Sequence, residues 1–165
     1  MSFASGRSSA ASTPAPSSRD RKSARPPKRV PGGPIDEPAR ARCDDPAPPE
    51  LIHGIEQFNA GEFFEQHETL ELLWRAERRD VRYLYQGILQ VGVAFYQLQR
   101  LNHHGTVYLL TRGPRYLAPF APRCQHVDVQ TLIDDAAAAL REVERLGPDR
   151  LAEFDWSLVP KVRLV

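Results

Sequence analysis

The chain reads as an all-α protein: a compact antiparallel bundle of about five helices, preceded by a disordered arm. Three observations predict this. After residue 48, apolar residues recur at helical spacing in separate segments. Gly, Asn and Pro stand between those segments, at the places where helices start and stop. No stretch alternates apolar and polar residues as a half-buried strand does.

The totals fit one domain plus appendages: 165 residues, a formal net charge of +1 and 41% hydrophobic residues. Cys43 and Cys124 are too few for a disulfide framework and lack metal-ligand spacing, so a reducing, cytoplasmic setting is expected. No run approaches the ~18 apolar residues of a membrane span. There is no apolar core of a secretory signal either.

Residues 1–47 form the arm, rich in Ser, Ala, Pro and Arg and almost without large apolar side chains. Such a segment buries too little surface to offset the entropy of ordering it. Within it, residues 19–29 set Arg19, Arg21, Lys22, Arg25, Lys28 and Arg29 against the single acid Asp20. This run implies a weak polyanion contact or a transit-peptide-like composition, beside the plainer reading of a solvated tail. The domain itself is 48–165.

The segment 50–60, ELIHGIEQFNA, spaces Leu51, Ile55 and Phe58 as an amphipathic helix, and Asn59-Ala60-Gly61 ends it. A second helix is expected over 62–77, closed by the charged corner Arg78-Arg79-Asp80. Residues 81–101 make the most apolar helix. Leu84, Ile88, Val91, Phe95 and Leu98 fill one face, and Tyr85, Leu89 and Tyr96 widen it, which marks a central helix. Gly87 and Gly92 lower its propensity by roughly 1 kcal/mol each against Ala, so close helix contacts are expected there. Asn102 is expected to cap a fourth helix over 103–112, which Gly113-Pro114 breaks or kinks. Pro119 and Pro122 keep 118–127 irregular. Asp128 or Gln130 opens a fifth helix over 129–146, stopped by Gly147-Pro148. The last residues are expected to form a short helical turn and an extended tail that packs Phe154 and Trp156.

The chemistry concentrates in FEQHETLELLW, 64–74, where His67-Glu68-x-x-Glu71 differs by one letter from the HExxH of zinc peptidases. At about 100° per residue, Phe63, Leu70 and Trp74 centre the apolar face. His67 falls between them with Glu71 beside it, while Glu68 lies near the boundary. His67 and Glu71 are therefore expected to enter the core side by side. A buried carboxylate needs partners. No Asp or Glu occurs from 81 to 127, a region that carries Arg82, Arg100, Arg112, Arg115 and Arg123 and the polar stripe Gln86, Gln90 and Gln97. Antiparallel packing sets His67, Glu68 and Glu71 against Gln86 and Gln90, with Arg82 or Arg112 as countercharge.

Three readings are open. A zinc hydrolase uses His67 and Glu71 as ligands and Glu68 as base, but needs a third ligand, for which His53, His103, His104 or His126 would have to fold close. A di-iron carboxylate bundle needs acids on the central helix, which has none. A buried, hydrogen-bonded network that fixes helix register is the structural reading. A ligand or catalytic pocket with His67 and Glu71 exchanging protons is the third. Ser-His-Asp, P-loop and Rossmann patterns are absent from the sequence.

The set Phe58-Asn59-x-Gly61, Phe64-Glu65-x-His67-Glu68-x-x-Glu71-x-x-Trp74, Gln86-Gly87-x-x-Gln90 and Asn102-x-x-Gly105 resembles the "domain of unknown function 309" family over about residues 48–160. The resemblance implies a helical bundle whose first hairpin is tetratricopeptide-like, and brings no established activity. Gln97 follows Tyr96 where the family often carries a His, which removes a metal ligand. Gly113-Pro114 stands where the family continues its fourth helix. The expectation is a binding or scaffold module with a polar cluster of His67, Glu68, Glu71, Trp74, Gln86, Gln90 and Asn102. The competing class is a metal-binding protein or small hydrolase using His67, Glu68 and Glu71, in which His67 and Glu71 hold a divalent cation. Partners and oligomeric state, including a homo-oligomer, stay open.

Overall fold

The computed structural model describes residues 38–165. The expected polyanion run at 19–29 and most of the expected arm lie outside the described residues. Five α-helices pack as a bundle: α1 Pro49–Asn59, α2 Phe63–Ala76, α3 Arg82–Gln99, α4 His103–Leu117 and α5 Val129–Leu146. Each helix packs on the next in sequence, and α3 lies between α2 and α4. None of the helices is long and apolar enough to cross a membrane.

α3 is the central element. Leu84, Tyr85, Ile88, Val91, Phe95 and Leu98 are all buried, as the width of its apolar face requires. Its glycines sit at tight crossings. A Cβ on Gly92 would lie 2.3 Å from Gln66 Nε2 of α2, and one on Gly87 would lie 2.6 Å from Leu117 Cδ2 of α4. Gly113 answers Gly87 from the other side: its Cβ would lie 2.8 Å from Val91 Cγ2 and 3.2 Å from the Gly87 carbonyl.

That pairing explains a correction. α4 does not stop at Gly113-Pro114 but continues to Leu117 with Pro114 inside it. Proline removes one helix hydrogen bond, while the glycine before it admits α3 at close range and the last turn buries Leu117. Gly113 is a packing residue rather than a terminator. The N-terminal end behaves as expected: the Asn102 side chain accepts from the Gly105 amide at 3.0 Å. Asp128 likewise caps α5, accepting from the Thr131 amide and hydroxyl at 3.0 and 2.7 Å. These bonds, the hydroxyl first, hold its carboxyl below the ordinary aspartate range.

A second correction concerns the cysteines. Cys43 and Cys124 are bonded, 81 residues apart in sequence with their Cα atoms 4.1 Å apart. This overturns the expectation of two reduced thiols, and with it the argument for a reducing compartment. Pairing across such a distance leaves no spacing signature for the sequence to show. The disulfide docks the segment before α1 onto the bundle, and Arg40 there donates to the carbonyls of Ala121 and Arg123 at 2.6 and 2.9 Å.

The loop at 118–127 holds the third departure. It contains a small hairpin, β1 Arg123–Cys124 and β2 Val127–Asp128, with Arg123 opposite Asp128 and Cys124 opposite Val127. The tail adds an edge to it through a bridge between Val127 and Leu164. Farther back in the tail, Asn59 donates to the Val162 carbonyl at 2.9 Å and accepts from the Val162 amide at 2.8 Å. Asn59 thus holds the C-terminal segment as well as ending α1. Phe154 is buried as expected, whereas Trp156 stacks edge-on against it and stays exposed.

Candidate functional site

The α2–α3 seam is built on a side chain that the wheel did not select. Gln66 is fully buried and donates from Nε2 to the Leu89 carbonyl at 3.1 Å. Its slot is the space left by Gly92. On the other flank of α2, Leu70 fills the space beside Gly54 of α1. α2 is thus gripped by two neighbours, and the face it buries runs through Phe63, Gln66 and Leu70.

That face turns His67 and Glu71 outward from the expected position. Their side chains are 39% and 30% exposed, and Glu68 is exposed outright. They flank the core rather than entering it side by side. The placement at 100° per residue went astray because it left Gln66 out of the buried face and gave no weight to a glycine-lined slot on the partner helix.

Countercharge also comes from a different source. His67 Nε2 lies 3.5 Å from Glu71 Oε2, and Arg75 Nη2 lies 2.6 Å from Glu71 Oε1. All three belong to α2, at i, i+4 and i+8. Neither Arg82 nor Arg112 pairs with a carboxylate among the described residues. Such half-exposed pairs contribute at most about 1 kcal/mol each.

The register of the seam follows from the bond between Gln66 and Leu89 and from the contact of the Phe64 and Tyr96 rings, 6.0 Å apart. Continued along the antiparallel helices, it brings His67 level with Gln90, Glu71 level with Gln86, and Trp74 level with Arg82 and Tyr83. Gln90 is only 9% exposed and Gln86 is half-buried. Three buried polar atoms along this seam have no hydrogen-bond partner among the described residues: Trp74 Nε1, Gln90 Oε1 and Arg82 Nε. Gln66 Oε1 is a fourth, deeper in the core. Asn102 belongs to a different place. It caps α4 and donates from Nδ2 to Gln97 Oε1 at 2.9 Å, beyond the Phe64 end of the seam.

Next to Arg82 an aromatic pair joins α3 to α4. Tyr83 and Tyr116 stack at 6.0 Å with their planes 22° apart. Arg82 donates to the Tyr83 hydroxyl and Arg112 to that of Tyr116, each at 2.9 Å. Arg112 also donates to the Tyr108 hydroxyl. These bonds, that from Tyr116 first, raise the Arg112 pKa further above its already high value. The sequence shows the arginines and tyrosines, but nothing in their spacing announced the stack.

No group of three or more His, Cys, Asp or Glu side chains converges to hold a metal among the described residues. The histidines considered as a third ligand have other surroundings. His103 Nε2 meets the Val143 carbonyl at 3.2 Å, His126 Nδ1 meets that of Val165 at 3.3 Å, and His53 faces Glu56 at 3.9 Å. His67 and Glu71 would offer a cation two ligands.

No curated protein matches the chain. Residues 51–109 match the family model described as Domain of unknown function (DUF309). The matched span covers nearly all of α1, the whole of α2 and α3, and the first half of α4, so it contains both sides of the seam. The segment 51–109 is a DUF309 domain.

Proposed function

We propose that this domain is a binding module whose ligand sits along the outer seam of α2 and α3. One observation carries the reading: an indole N–H, Trp74 Nε1, and a carboxamide oxygen, Gln90 Oε1, are both buried on that seam without partners. Leaving a buried polar group unsatisfied costs about 1–3 kcal/mol, and native proteins keep few such groups without a reason. A donor and an acceptor on one seam match a small polar molecule that accepts from Trp74 and donates to Gln90. His67, Glu71 and Arg75 would form its half-exposed rim, with Glu68 outside them. The scaffold role falls to Gln66, which ties α2 to α3. The hydrolase alternative has an accessible His67–Glu71 pair in its favour and lacks, among the described residues, a third ligand for a metal.

The test uses the two tryptophans of the chain. In ¹⁵N-labelled protein, a set of small polar fragments is titrated while both indole N–H resonances are followed. Binding at the seam moves the Trp74 resonance, leaves that of Trp156 in place, and is lost in Gln90→Met. Fragments that move only Trp156, or that bind Gln90→Met unchanged, would rule the seam out.

A further inference from the structure

Arg82 is the only charged side chain that is fully buried among the described residues, at 3% exposure. It has no ion pair with a carboxylate there. Its guanidinium donates from Nη2 to the Tyr83 hydroxyl, and its Nε has no acceptor among the described residues. A guanidinium stays charged at any pH a folded protein meets, so a buried one without a counter-ion carries a large desolvation cost. Asp80 stands two positions before Arg82 and forms no ion pair with it among the described residues, and no acid follows until Asp128.

The neighbouring groups add positive charge. The guanidinium carbon of Arg82 lies 4.9 Å from the ring centre of Tyr83, and that of Arg112 lies 5.7 Å from the ring centre of Tyr116. Because those two rings stack on each other, two guanidinium groups that pair with no carboxylate among the described residues flank one tyrosine pair. Cation–π contact and neutral hydroxyls hold such groups in place without neutralising them. On the facing helix α2, Trp74 Nε1 is a further buried N–H without a partner among the described residues.

We infer that this end of the seam is an oxyanion site: Arg82, with Arg112 behind the tyrosine stack and Trp74 Nε1 beside it, binds the carboxylate or phosphate group of the ligand. Arg82 supplies the Nε–H of a guanidinium fork, the geometry that suits both anions. The inference rests on the reading of the seam as a binding site and names the chemical class of what binds there. The rest of the ligand would extend toward Gln90.

The experiment titrates the full ¹⁵N-labelled chain with sodium phosphate and, separately, with sodium acetate. Sodium chloride at matched ionic strength is the control, and the Arg82 Nε–H and both indole N–H resonances are the readout. Phosphate or acetate is expected to move Arg82 Nε–H and Trp74 saturably while Trp156 stays in place, and the tighter of the two identifies the anion. Arg82→Gln is expected to weaken that binding at least ~10-fold. Arg82→Lys keeps the charge but lacks the fork. It is expected to fall between wild type and Arg82→Gln, and it serves if Arg82→Gln does not fold. Equal shifts with chloride, no shift with either anion, or undiminished binding in both variants would overturn the oxyanion site. Uncharged fragments that still move Trp74 in the Arg82 variants would leave the seam reading standing while the anion assignment falls. Conversely, phosphate or acetate binding that persists in Gln90→Met, with fragment binding unaffected by that change, would remove the seam reading and keep the anion site.

Discussion

Tyr85 is wholly buried, and its hydroxyl donates to Gln125 Oε1 at 2.8 Å. Burial pushes its pKa up to about 12, with the bond to Gln125 opposing the rise. An unfolded tyrosine titrates near pH ~10. Between pH 10 and about 12 the folded chain therefore holds a proton that the unfolded chain has released, so stability falls as pH rises. The contribution is fully present below pH ~10 and declines by up to ~1.4 kcal/mol per pH unit across that window. Denaturant titrations at pH 9, 10 and 11 should show this slope, and Tyr85→Phe should remove it. The same substitution leaves Gln125 Oε1 buried without its donor, at an expected cost of about 1–3 kcal/mol at pH 7. His67 behaves differently because of its exposure. His67→Ala forfeits only a half-exposed pair with Glu71, so its melting should differ from wild type by less than about 1 kcal/mol. A loss of several kcal/mol would mean that His67 is held by the core after all.

At the scale of elements, the crossing of α3 and α4 depends on Gly87 and Gly113. A methyl on Gly87 would meet Leu117 at 2.6 Å and the Gly113 carbonyl at 3.2 Å. Overpacking of this kind costs typically about 1–3 kcal/mol, which outweighs the roughly 1 kcal/mol gained in helix propensity. Gly87→Ala should therefore destabilise in chemical denaturation, although propensity alone predicts the reverse. The five helices were legible in the sequence because apolar period and caps agree: Asn102 and Asp128 cap the helices they were expected to open. Helix α4 was read short because a Gly-Pro pair signals an end locally, while its partner Gly87 lies 26 positions upstream. The hairpin was missed for a related reason. Its two-residue turn puts Gln125 and His126 at φ 46° and 65°, where Asn-Gly is the usual signal. The backbone there is held by the Gln125 amide donating to the Cys43 carbonyl at 2.7 Å and by the disulfide next to it. At the candidate site, residue types were legible and orientation was not. Gln66 took the buried position because Gly92 on another helix makes room for it.

For the molecule as a whole, the decisive long-range connection is the bond from Cys43 to Cys124, which closes a separation of 81 residues. A cross-link of that span stabilises by about 2–4 kcal/mol, chiefly by restricting the unfolded chain. It also shifts where the domain begins in practice. A cut after residue 47, placed by composition, removes Cys43 together with the bonds that Arg40 donates to Ala121 and Arg123. A cut after residue 37 keeps both. The chain shortened to 38–165 should therefore melt well above the chain shortened to 48–165, and reductant should lower the first toward the second. The shorter form has Cys124 as its one remaining thiol and should show one reactive group per chain once unfolded. Thermal melts of both forms with and without reductant, together with a thiol count under denaturing conditions, measure this directly. If reductant leaves the melting of 38–165 unchanged, the disulfide contributes nothing and the segment before α1 is held by its hydrogen bonds alone.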